Sequence, residues 1–112
     1  MKIESEKIDS GVVVRVLEPR LGADKAASFK ETLGRLIDAG DRRLVLDLSR
    51  VEFIDSSGLG AALSVLKRLG NEGELIICSA TEPVMSMFKL TRMDRVFRMH
   101  KTVEDALTTL VD

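Results

Sequence analysis

Apolar positions along this chain recur with two different periods, and the alternation between those periods outlines an architecture. Val12-Val13-Val14-Arg15-Val16-Leu17 is rich in β-branched residues and reads as a strand. Residues 3–8 read as its partner, joined to it through Asp9-Ser10-Gly11 as a hairpin turn. Over residues 23–39 the spacing changes: Ala26, Phe29, Leu33, Leu36 and Ile37 form one apolar helical stripe. Asp24, Lys25, Lys30, Glu31, Arg35 and Asp38 fall mostly elsewhere on that helix, with Glu31 and Arg35 four apart in the favourable acidic-first order. Gly40 is the expected C-terminal cap.

The same grammar repeats downstream. Residues 44–48 are a short apolar strand, followed by a connection over 49–55 in which Val51, Phe53 and Ile54 are expected to pack inward. A second helix is expected over about 57–69, with the stripe Leu59, Ala62, Leu63, Leu66 and Leu69, and Gly70 and Gly73 in the turn behind it. Leu75-Ile76-Ile77-Cys78 is apolar at every position, as an interior parallel strand requires. Thr81-Glu82-Pro83 opens a third helix carrying Val84, Met87 and Phe88. Residues 96–99 read as a last strand. Thr102, with Asp105 three residues on, caps a last helix whose stripe is Val103, Ala106, Leu107 and Leu110. Strand, strand, then helix and strand in alternation predicts an α/β fold in one domain, residues 1–112. Its sheet is mixed but mainly parallel, with four to five strands and about four helices.

Composition narrows the chemistry. With no Trp, no Tyr and 4 Phe, the core must be aliphatic. The 17 Lys+Arg against 18 Asp+Glu leave a net charge of -1 and no basic footprint, so no nucleic-acid partner is expected. The single cysteine excludes an internal disulfide and a cysteine-based zinc site. Cys78, inside an apolar run, reads as a buried small hydrophobe. The N-terminus is charged and lacks the apolar segment of a secretory signal, and no apolar run approaches the ~20 residues that span a bilayer. A cytoplasmic protein without a membrane partner is expected, with a monomer as the simplest state.

The usual enzymatic signatures are missing. There is no Gly-x-x-x-x-Gly-Lys-Ser/Thr loop and no Gly-x-Ser-x-Gly elbow. Asp47 ends a strand, but no acidic pair follows the first strand to hold magnesium. His100, the one histidine, lies outside the Ser-rich turn and reads as a surface residue before the last helix. No cofactor and no catalytic activity are expected. What remains is Asp55-Ser56-Ser57-Gly58-Leu59-Gly60, where a strand-like stretch meets a helix. Asp and Ser there serve as plain N-caps. The same helix start, with free N–H donors and the positive end of the dipole, also suits a phosphoryl group on serine, which brings about −1.5 to −2 charges at neutral pH. Gly58 and Gly60 keep the turn thin for an approaching partner.

The run from Leu44-Val45-Leu46-Asp47-Leu48-Ser49-Arg50 through Val51-Glu52-Phe53-Ile54-Asp55-Ser56-Ser57-Gly58-Leu59-Gly60 resembles the signature of the STAS domain, in its stand-alone form of anti-sigma factor antagonist. The resemblance implies a single STAS domain, a non-enzymatic binding module in a partner-switching pathway. It implies that the serine after the motif's Asp, here Ser56 with Ser57 as second choice, accepts phosphate from an anti-sigma factor that is a GHKL-type serine protein kinase. The unphosphorylated form binds that kinase, the phosphorylated form leaves it, and a metal-dependent Ser/Thr phosphatase resets the switch. Asp55 is expected to orient the Ser56 hydroxyl and to help bind the kinase as part of the partner-binding edge. Ser57, Gly58, Leu59 and Gly60, with Leu21, Gly22 and Asp24 of the loop 21–24, are expected to form the partner-binding edge. The chain departs from the family where many members carry Gly-Glu-Leu-Asp: it has Glu18-Pro19-Arg20-Leu21-Gly22, so Gly22 replaces an acid that Asp24 stands ready to supply.

Two competing readings carry different expectations. In a constitutive STAS scaffold, such as an accessory subunit of a lipid transporter, Ser56 only caps its helix. Nucleotide binding at the same helix start lacks a stacking aromatic or a phosphate-cradling Lys nearby. The basic stretch Lys89, Arg92, Arg95, Arg98 and Lys101 reads as a solvated face, with an acidic partner surface as its alternative.

Overall fold

A computed structural model describes residues 1–110. Strands β1 (Ile3–Ile8) and β2 (Gly11–Val16) form the expected antiparallel hairpin, with Ile8 opposite Gly11. After the two-residue strand β3 (Arg20–Leu21) the chain enters α1 (Ala23–Asp38). Then come β4 (Arg43–Asp47), β5 (Phe53–Ile54), α2 (Ser56–Leu69), β6 (Glu74–Cys78), α3 (Glu82–Leu90), β7 (Arg98–His100) and α4 (Val103–Thr108). The main sheet has the order β1-β2-β4-β6-β7, parallel from β2 onward, and β3 pairs with β5 in a separate parallel ribbon. The crossovers through α1, α2 and α3 all step the sheet in one direction, so a constant hand places these helices on one face.

Strand alternation divides the core in two. Val12, Val14, Leu44, Leu46, Leu75 and Ile77 pack with α1, α2 and α3. Their alternating neighbours Val13, Val45, Ile76 and Cys78 pack under Ala106 and Leu110, at the α4 side of the sheet. That is why these strands are apolar at successive positions. The first helix ends in a Schellman turn: Gly40, at φ 109°, donates to the Ile37 carbonyl and Asp41 donates to that of Leu36. Thr102 accepts a hydrogen bond from the Asp105 amide at 3.0 Å, the cap expected for α4.

Several expectations are corrected. Phe53 does not pack inward; it is 40% exposed. In a two-residue strand only one side chain can face the core, and Ile54 does so at 2% exposure. The outward Phe53 ring is covered by the Arg20 guanidinium at 4.3 Å from its centroid, directly across the β3–β5 pair. The buried face of α2 runs through Gly58, Leu59, Ala61, Ala62, Val65 and Leu69, while Leu63 and Leu66 lie half-buried at its margin. The last strand is Arg98–His100 rather than 96–99, and Val96 is 48% exposed. His100 is therefore a strand residue opposite Cys78, half-buried, and among the described residues its Nε2 is buried without a hydrogen-bond partner.

Cys78 is fully buried, and that burial pushes its thiol up to about 11. We expect no reaction of the native chain with Ellman's reagent at pH 8, and one equivalent of thiol after denaturation. Rapid labelling of folded protein would contradict this placement.

Candidate functional site

The small β3–β5 ribbon sets the geometry of the site. Leu21 pairs with Ile54, so the next residues, Gly22 and Asp55, emerge side by side, and each is the N-cap of a helix. Gly22 has no side chain with which to cap α1. Asp55 serves both helices. Its Oδ1 accepts from the Gly58 amide at 3.0 Å in α2, and its Oδ2 accepts from the Ala23 amide at 3.2 Å in α1. A Cβ on residue 22 would come 3.0 Å from Asp55 Oδ2, so the glycine that departs from the family pattern leaves room for this bridge. The Gly58 amide, followed by those of Ala23 and Ser57, holds the Asp55 carboxyl below its ordinary range. The loop entering α1 is tied by the Glu18–Lys25 ion pair at 2.6 Å. The Lys25 ammonium, and a backbone hydrogen bond from Lys2, lower the Glu18 carboxyl.

This arrangement changes the roles expected from sequence. Among the described residues no hydrogen bond joins Asp55 to the Ser56 hydroxyl; the carboxylate oxygens accept from backbone amides of both helices. Ser56 is the first residue of α2 rather than its cap, and it is exposed, as is Ser57. Among the described residues, neither hydroxyl has a hydrogen-bond partner. Gly58 does not thin the turn for a partner: it is buried, and a Cβ there would collide with the Leu21 carbonyl oxygen and lie 2.9 Å from Ile54 Cγ1. Leu21 is fully buried, and Gly22 is buried beside Asp55. Of the predicted edge, Asp24, Ser57 and Gly60 are exposed together with Ser56. Asp47 is ion-paired to Arg15 at 3.8 Å and accepts from the Ser49 amide at 2.9 Å.

Beside Ser56 runs a shallow apolar groove that the motif did not reveal. Leu59, Gly60 and Leu63 of α2 form one wall, and Thr91 and Met93, after α3, form the other. Leu90, 79% exposed, precedes this second wall. The one sequence signal for it was that Leu90 falls off the Val84–Met87–Phe88 stripe of α3.

Three substitutions test this geometry. Gly58→Ala should destabilise by about 2 kcal/mol in urea unfolding, because the backbone contact leaves no room for a methyl group. Asp55→Ala should lower Tm by roughly 5 °C or more through loss of the double cap. Asp55→Asn can accept at only one of the two helices. Because the native carboxyl is lowered, its contribution is full above about pH 4 and is lost as pH falls through the folded value. The Tm gap between wild type and Asp55→Asn should therefore be widest at neutral pH and narrow below about pH 4. A gap independent of pH would contradict the bridge.

No helix among the described residues is long and apolar enough to cross a membrane. The family model for the STAS domain matches residues 2–106. BtrV of Bordetella bronchiseptica, which carries the name of an anti-sigma factor antagonist, is 33% identical over 107 residues, covering 95% of this chain and 91% of that protein. The crystal structure of an anti-sigma factor antagonist from Mycobacterium paratuberculosis matches with a TM-score of 0.89 at 29% identity, covering 99% of this chain and 94% of that one. The Bacillus cell fate determinant SpoIIAA in its phosphorylated form shares the fold, at a TM-score of 0.72 and 19% identity over 98% of this chain and 100% of that one. A five-stranded mixed sheet, four helices and a family match over nearly the whole length agree: the chain belongs to the STAS domain family.

Proposed function

We propose that this protein is an anti-sigma factor antagonist that works as a phosphorylation-switched binding module. In this reading Ser56 is the acceptor, a GHKL-type anti-sigma kinase is both partner and phosphoryl donor, and a metal-dependent Ser/Thr phosphatase resets the cycle. The observation that carries the reading is the division of labour at the start of α2. Asp55 holds the cap, so the exposed Ser56 hydroxyl is left without a structural task. A constitutive scaffold in which Ser56 merely caps the helix finds no cap role for it here. Relatives named as anti-sigma factor antagonists support the partner class.

The chemistry of release follows from the same geometry. The nearest first-turn amides already serve Asp55, so a phosphoryl group on Ser56 meets a carboxylate neighbour and projects into solvent at the mouth of the apolar groove. A partner closing over it would have to desolvate close to two negative charges beside the Asp55 carboxylate. Transfer moves the γ-phosphoryl of ATP to Ser56 Oγ, with ADP leaving and the hydroxyl proton lost.

The test uses the GHKL-type kinase encoded nearest to this protein's gene, with ATP and magnesium, followed by mapping of phosphate by mass spectrometry. One phosphate on Ser56, absent from Ser56→Ala, is expected. Ser56→Ala should stay within about 0.5 kcal/mol of wild-type stability, since it removes no cap. Ser56→Asp should bind the kinase at least about tenfold more weakly. Phosphate on Ser57 would move the acceptor by one residue. Wild-type affinity of Ser56→Asp would overturn the switch.

A further inference from the structure

The end of α3 departs from the way this chain ends its other two long helices. The first places Gly40, at φ 109°, after its last turn, and the second closes on Gly70, at φ 58°. Glycine takes up positive φ at little cost, and such positions favour it. The third helix closes on Thr91 and places Arg92 at the equivalent left-handed position, φ 62°. An L side chain is strained there. The Arg92 backbone donates to the Lys89 carbonyl and accepts from the Arg95 amide, as a glycine there would also do, while its side chain is exposed and has no carboxylate partner among the described residues. In the chain it lies between Thr91 and Met93, which form one wall of the groove that reaches Ser56.

The surroundings share this character. Lys89 and Arg95 are exposed and, like Arg92, enter no ion pair among the described residues, whereas Arg98 pairs with Glu74 at 3.3 Å. Over residues 89–95 these three cations face one carboxylate, Asp94, in a chain whose net charge is -1. Leu90 and Val96, among the most exposed large apolar side chains, lie within this segment and just after it. The segment that carries the Thr91–Met93 wall is thus cationic, and it forms the rim of an apolar groove whose lining also includes Ser56.

We propose that this groove and its rim form the second half of the kinase-binding surface. They seat an acidic amphipathic segment of the anti-sigma kinase, with an apolar side chain between Leu63 and Met93 and carboxylates on Lys89, Arg92 and Arg95. The inference rests on the phospho-switch reading and extends it. Phosphate on Ser56 would place a dianion at the mouth of the groove, where it opposes the partner's carboxylates and competes for the rim. The cations steer encounter, and Leu90 and the groove hold the docked partner.

The test measures binding of the purified, neighbouring GHKL-type kinase, with ADP and magnesium, to wild type and variants by surface plasmon resonance at two salt concentrations. Arg92→Gly is the decisive variant. It should fold with an equal or higher Tm, because glycine relieves the strain, yet bind about fivefold or more weakly. Arg92→Glu with Arg95→Glu should slow association about tenfold and flatten its salt dependence. Leu90→Ser, at a solvent-exposed position that the fold does not need, should speed dissociation about tenfold. Variants that bind within twofold of wild type, while Ser56→Asp still weakens binding about tenfold or more, would overturn the second surface and leave the switch standing. A kinase that neither binds nor phosphorylates wild type would remove the switch and this inference with it. A self-associating chain that Leu90→Ser makes monomeric would assign the groove to a second copy and overturn the proposal.

Discussion

One carboxylate joins the two ends of the functional surface. Asp55 accepts from the Ala23 amide, 32 positions back, and from the Gly58 amide, three residues on, and so fixes the starts of α1 and α2 against each other. Helix starts leave backbone donors unsatisfied, and bringing two of them together would be unfavourable without a shared acceptor. The β3–β5 ribbon places that acceptor, and the absence of a side chain at Gly58 lets α2 approach the Leu21 carbonyl. The direction in which Ser56 points follows from these contacts.

The consequence is a separation of structural and chemical duties along four residues. Asp55 and Gly58 hold the turn, while Ser56 and Ser57 are exposed. A modification at the outward positions changes charge without disturbing the cap. The adjacent groove divides its duties in a similar way. Leu59 supports the core from its inner edge, whereas Leu63 and Met93, only half-buried, belong to both the core and the surface.

The layered fold was largely legible in the chain. Val12-Val13-Val14, Leu44-Val45-Leu46 and Leu75-Ile76-Ile77 are apolar on both alternating faces, and a strand with that property must be covered on both sides. The stripes of α1 and α4 point to the core as expected, because polar residues occupy the rest of each helix and only one rotation buries the apolar face. The second helix lacks that contrast. Its apolar residues extend around much of the circumference, so the choice between Val65 and Leu66 for the core depended on where α1 and the sheet stood. Phe53 was misplaced for a related reason: the pattern marked it as apolar, but not which side of a two-residue strand would be covered.

At the site, the sequence by itself determined the family, the position of the helix start and the identity of the serines, since these reside in a contiguous run whose residue types are constrained by local backbone geometry. It did not determine that Asp55 caps two helices, that Gly58 serves an internal contact, or that Ser56 borders an apolar groove walled by Thr91 and Met93. Those features join residues 21–23 to 55–58, and 56–63 to 89–96. Their meeting depends on how the ribbon, the helices and the sheet pack, and a linear pattern carries no record of distance across a fold.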